Sequence, residues 1–132
     1  APAHANLSAV LLANGDFDQA IARAKEATLL DPDNAPAHFN LGVALFSSGD
    51  IKGAETPLRR ASELDPHNAR AHASLGATLS ELGDHSGSIR SCRRALELDP
   101  NNFVAYFNLG LALRDKGDAD GAIRSLRRAV LL

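Results

Sequence analysis

Apolar residues recur at helical spacing along this chain, and turn-forming residues interrupt them at regular intervals. Leu7, Val10 and Leu11 share one helical face, and Ala20, Ile21, Ala24 and Ala27 share the face of a second helix. Between these two helices stands Gly15-Asp16, and the same dipeptide returns as Gly49-Asp50, Gly83-Asp84 and Gly117-Asp118. Glycine accepts the left-handed backbone that ends a helix, and the aspartate after it can cap the next one. A second kind of break is Asp31-Pro32, Asp65-Pro66 and Asp99-Pro100. The residue before a proline avoids the α region, so each Asp-Pro closes the helix ahead of it. Asn34, Asn68 and Asn102 follow as candidate caps, and Pro36 falls in a first turn, where its missing N–H costs little.

The segment LDPDNAPAHFNLG, Leu30 to Gly42, returns as LDPHNARAHASLG from Leu64 and as LDPNNFVAYFNLG from Leu98, an offset of 34 residues each time. A fixed period of this size marks a stacked repeat array. It divides the chain into 1–34, 35–68, 69–102 and a shorter 103–132, each predicted to be two antiparallel helices, and all four are expected to form one domain. Small residues recur where helices must approach closely. The columns are Ser8, Gly42, Gly76 and Gly110; Ala20, Ala54, Ser88 and Ala122; and Ala27, Ala61, Ala95 and Ala129.

Composition narrows the function. The chain has 132 residues, of which 45% are hydrophobic and 23% charged, so a folded core is expected. The net charge of −2 does not favour nucleic acid or an anionic membrane. No apolar run approaches the roughly 20 residues of a membrane span, and no basic-then-apolar leader is visible, so a cytoplasmic location is expected. The one cysteine, Cys92, excludes an internal disulfide and is expected to be a small buried hydrophobe. With no methionine anywhere, the chain is expected to be a piece of a longer protein.

The 34-residue period with its small, Gly and Pro columns resembles the tetratricopeptide repeat over the whole length. His4, His38, His72 and Tyr106 stand where that family usually carries Trp, and Glu55 and Pro57 depart from the other copies. Pro57, inside a predicted helix, should bend it slightly. The resemblance implies an all-α, right-handed α-solenoid with the first helix of each pair lining a concave groove.

Groove-facing candidates follow from that arrangement. Asn6, Asn40, Ser74 and Asn108 occupy equivalent positions, and Asn mid-helix calls for a reason because it is a mediocre helix former. Its amide both donates and accepts, as a peptide backbone does. Helices about 8–10 Å apart and a peptide rising about 3.3 Å per residue would let one Asn per layer meet every third residue. The row resembles the asparagine ladder in the repeat region of the glycosyltransferases that attach N-acetylglucosamine to Ser and Thr, with Ser74 interrupting it. Phe39, Val43, Phe46, Val104, Phe107 and Leu111 are expected on the same face, with Arg70, Glu81, Arg114 and Asp115 at its edge. The clamp that some family members use on chaperone C-termini is not matched, because Ala5 and Ala9, or Phe39 and Val43, stand where its Lys and Asn would be.

Other chemistry is not indicated. His4, His38 and His72 lie one repeat apart, too far to share a metal whose ligands stand at about 2 Å. Arg59-Arg60, Arg93-Arg94 and Arg127-Arg128, with Arg90 and Arg124, make a basic stripe; it would suit an acidic protein or RNA, or be a solvated face near helix C-termini that Glu63 and Glu97 balance at four-residue spacing. No nucleophile–base order, phosphate loop or paired carboxylates appear, so no enzyme, cofactor or metal is predicted. The expected function is a protein–protein interaction module holding an extended peptide segment. Two alternatives stand beside it: a substrate-presenting repeat region of a larger glycosyltransferase-type enzyme, and a scaffold. The scaffold would form homo-oligomers by end-to-end stacking through Val130, Leu131 and Leu132, since array ends normally need a polar face.

Overall fold

The computed structural model describes residues 16–132, and Asn6, Ser8 and the first predicted helix lie outside that range. The described residues form seven α-helices. They are α1 (Phe17–Leu30), α2 (Ala35–Ser47), α3 (Ile51–Leu64), α4 (Ala69–Glu81), α5 (His85–Leu98), α6 (Phe103–Asp115) and α7 (Ala119–Leu131). The chain divides into two compact units, Ala1–Pro66 and His67–Leu132.

The turns end the helices as the dipeptides require. Gly49, Gly83 and Gly117 have φ of 96°, 87° and 90°, in the left-handed region open to glycine. Each turn closes with two backbone bonds. For α2, the Gly49 N–H donates to Phe46 O at 3.1 Å and the Asp50 N–H to Leu45 O at 2.9 Å, the paired pattern that satisfies a helix's last carbonyls. At the other turns Asp31, Asp65 and Asp99 are extended, with φ of −142°, −132° and −140°. The proline after each holds them there.

Every described helix has a side-chain cap. Asn34, Asn68 and Asn102 accept from the N–H groups of Ala37, Ala71 and Ala105. Asp50, Asp84 and Asp118 each accept from a glycine, Gly53, Gly87 or Gly121, at 2.9 Å. At α1 the corresponding donor is Gln19 and the bond to Asp16 is longer, 3.3 Å. A Cβ at any of the three glycines would press on the capping carboxylate, and Gln19 has that Cβ.

Connections of three residues turn each pair into a helical hairpin. In the first unit α2 packs on both α1 and α3; in the second, α5 and α6 join the pairs α4–α5 and α6–α7, and α4 also meets α6. The small columns lie at these contacts. Ala20, Ala54 and Ser88 are wholly buried and Ala122 nearly so; Ala27, Ala61, Ala95 and Ala129 are equally hidden. A Cβ at Gly42 would stand 2.4 Å from Leu58 Cγ, and one at Gly110 2.7 Å from Leu126 Cγ. In the middle copy the facing residue is Cys92, whose Sγ would be 2.6 Å from a Cβ at Gly76. Cys92 is fully buried. Ser88 beside it donates to Gly76 O at 2.7 Å, a bond that the alanines of the other copies cannot make. α3 runs unbroken through Pro57, which is buried.

Candidate functional site on the first helices of the pairs

α2, α4 and α6 carry the predicted contact residues. In the first unit, Asn40, Val43 and Phe46 are half-buried on α2. Phe39 departs from expectation. It is only 8% exposed, so its ring packs inside instead of presenting a surface to a ligand. Helical phase does not explain this, because Phe107 holds the equivalent position of α6, directly before Asn108, and is exposed; the helices packed around each ring make the difference.

In the second unit, α4 lies beside α6. Ser74 is half-buried and Arg70 and Glu81 are exposed on α4. On α6, Asn108 and Leu111 are half-buried, Arg114 is exposed and Phe107 is 43% exposed. The amide of Asn108 folds back on its own helix, with Nδ2 donating to Val104 O at 2.9 Å. One N–H and the carbonyl oxygen of that amide are left for a ligand. Arg114 Nε donates to Asp115 Oδ1 at 3.3 Å, which positions the guanidinium at the edge of α6.

An aromatic residue not among the predicted contacts extends this surface. Phe103 is 54% exposed and stacks on Phe107, with ring centroids 6.3 Å apart and planes 24° from parallel. With Val104, 42% exposed, they form an apolar patch on the first two turns of α6. The four-residue spacing of Phe103 and Phe107 is the signal in the sequence, since such pairs meet on a helix surface. Together the patch, the Asn108 amide and Arg114 offer apolar contact, a donor–acceptor group and a cation along one helix.

The remaining candidates have structural work. His38 Nε2 lies 2.8 Å from Pro32 O and ties α2 to the preceding turn. Among the described residues no three His, Cys, Asp or Glu side chains are grouped to hold a metal. No described helix is long and apolar enough to cross a membrane. The arginine pairings differ from the expected ones. Arg59 pairs with Glu55 behind it at 3.0 Å, not with Glu63, and Glu97 takes Arg94 at 3.0 Å, not Arg93. Arg60 reaches across to Asp33 at 3.2 Å. Burial pushes the Cys92 thiol from an ordinary 9.0 up to about 11, against a smaller opposing effect of its contact with Ser88.

No curated protein matches the chain. Among solved structures, a crystal structure of MamA is 28% identical over 97% of this chain and 75% of its own, with a TM-score of 0.87. MamA from Desulfovibrio magneticus RS-1 is 22% identical over 98% of this chain and 73% of its own, with a TM-score of 0.86. The shared fold is the all-α class of the helix-pair solenoids. Tetratricopeptide repeat models match residues 11–78, 69–102 and 91–124. The first spans more than half of the sequence, and the chain belongs to the tetratricopeptide repeat family, a protein-interaction module.

Proposed function

We propose that this module is non-catalytic and holds an extended polypeptide segment against the first helices of its pairs. The observation that carries the reading is the Phe103–Phe107 stack with Val104, an exposed apolar patch on a helix that could have been polar there. Exposed apolar patches of this kind mark binding surfaces. The free half of the Asn108 amide beside it can meet a peptide's main chain, and Asn40 stands at the equivalent position of α2. In this reading Asn6, Asn40, Ser74 and Asn108 contact the main chain. Val43, Phe46, Phe107 and Leu111 take side chains, Arg70 and Arg114 meet acidic groups at the rim, and Phe39 supports them from within.

A peptide array probed with the intact chain and with Phe103→Ala/Phe107→Ala tests this directly. Loss of the bound spots, with helical content unchanged by circular dichroism, is the expected result. Unchanged binding by that variant and by Asn40→Ala/Asn108→Ala would remove the surface from the account.

One observation favours a second, compatible role as a self-assembling scaffold. On α5, Ile89 and Cys92 are buried in the cluster that α6 completes. Their counterparts on α7, Ile123 and Leu126, line an apolar depression of about 440 Å³ with Val130 and Leu131. Ile123 is 50% and Val130 85% exposed. We propose that a helix of a second copy covers this face. Sedimentation should show a concentration-dependent oligomer that Val130→Glu/Leu131→Glu reduces to a monomer. A monomer at every concentration would rule the scaffold out.

A further inference from the structure

A second surface of the same unit has different chemistry. α5 places Ser86, Ile89, Arg90 and Arg93 at spacings of three, four and seven, so they form one stripe. Facing the stripe are Leu113 near the end of α6, Lys116 in the turn and Asp118 at the start of α7. These seven residues line a depression of about 430 Å³. Its floor is apolar, since Ile89 and Leu113 are each 9% exposed. Its rim is cationic. Lys116 Nζ donates to Ser86 Oγ at 2.8 Å, which fixes the ammonium at the edge. Asp118 has one carboxylate oxygen committed to the Gly121 N–H as the cap of α7.

Arg90 and Arg93 are exposed, and neither meets an acidic side chain among the described residues. Comparison with the preceding copy shows why. One period back, the counterpart of Arg93 is Arg59, held by Glu55 four residues before it. In α5 the place of Glu55 is taken by Ile89, and the place of Thr56 by Arg90. Ile21 and Ile123 hold the place of Ile89 in the first and fourth copies, so Glu55 is the exception, and Arg93 has an apolar floor where Arg59 has an anion. Three cations and one anion then surround a cleft in a chain whose net charge is −2.

We propose that this cleft docks an acidic segment of a partner protein, with an apolar side chain on Ile89 and Leu113 and flanking carboxylates on Arg90, Arg93 and Lys116. Guanidinium groups match carboxylates with paired, charge-assisted hydrogen bonds. Nucleic acid is the poorer fit, because no aromatic side chain lines the cleft to stack a base. The site is on different helix faces from the Phe103–Phe107 patch and does not rest on the peptide reading given above.

The test is fluorescence anisotropy of a rhodamine-labelled peptide alternating Glu with Leu, titrated with the full chain at low ionic strength. Arg90→Glu/Arg93→Glu should weaken binding at least about tenfold, the scale of losing charge-assisted hydrogen bonds. Arg90→Gln/Arg93→Gln should weaken it as well, and this milder pair serves if the reversal unfolds the chain by circular dichroism. Phe103→Ala/Phe107→Ala and Arg59→Ala should leave it unchanged. Equal binding by the arginine variants, equal binding of a Gln-for-Glu peptide, or equal loss with Arg59→Ala would overturn the proposal. So would single-stranded oligouridylate binding through these arginines more tightly than the peptide.

Discussion

Gly42→Ala adds one methyl group at the tightest described helix contact, and the structure fixes what that methyl would meet. It would stand 2.4 Å from Leu58 Cγ and 2.6 Å from Cδ2, where carbon atoms normally rest about 3.5–4.0 Å apart. Leu58 is wholly buried, and its backbone nitrogen at 3.3 Å closes the way behind it. Relief therefore needs a shift of about 1 Å between α2 and α3, at the upper end of the roughly 1–3 kcal/mol that overpacking costs. Alanine returns about 1 kcal/mol through its better helix propensity, so the net loss is about 2 kcal/mol. For a chain of this size that lowers Tm by about 7 °C. Gly110→Ala is the internal comparison. Its methyl would lie 2.7 Å from Leu126 Cγ, but Leu126 is only half-buried and can move aside, so propensity and crowding nearly cancel. Thermal melts of both variants, and of Gly42→Ala combined with Leu58→Ala, give the answer. Leu58→Ala alone costs about 3 kcal/mol, and the double variant should be about 3 kcal/mol better than additive, the overpacking being relieved while the propensity gain stays. Equal melting of the two glycine variants, or strict additivity in the double variant, would refute the argument.

Gly117→Ala isolates a backbone effect: no atom lies within 4 Å of the added carbon, but φ is +90°. A loss of about 1–2 kcal/mol is expected in chemical denaturation, with Gly117→Asn losing less because Asn tolerates that region better. Pro57→Ser, the residue found at the corresponding positions Ser91 and Ser125, restores an N–H inside α3. It should raise stability by about 1–2 kcal/mol, the helix gain being larger than the lost ring packing, and a lower Tm would contradict this. Cys92 should resist thiol reagents until the chain unfolds, as followed by absorbance with a chromogenic disulfide. Because burial raises its pKa from 9.0 to about 11, the unfolded chain loses this proton first. Stability from the neutral thiol is therefore complete below pH 9 and declines between pH 9 and about 11. Cys92→Ala should flatten that part of the pH–stability curve.

Local features of the fold were legible in the chain because they depend on a few neighbouring residues. Gly49, Gly83 and Gly117 take the backbone that only glycine takes easily, and Asn34, Asn68 and Asn102 cap the helices they precede. The small columns were visible because a 34-residue period superimposes equivalent contacts. The surfaces were less legible. Phe39 and Phe107 hold equivalent positions two periods apart and are expected on one face, but one is buried and the other exposed. The same residue type in the same helical phase meets different neighbouring helices, and those neighbours decide its fate.

Charge shows the same division. Residue order places arginines on the second helix of each pair and sets the breaks, caps and period that make those helices. Which arginines open onto a cleft depends on how the helices pack. Arg59 bends back to Glu55, whereas Arg93 finds Ile89 in that place and opens onto a cleft closed by Lys116, twenty-three positions along the chain. Helices form from interactions a few residues apart, which a linear reading contains. Clefts and unpaired charges arise where distant segments meet, and they follow from the packing that brings those segments together.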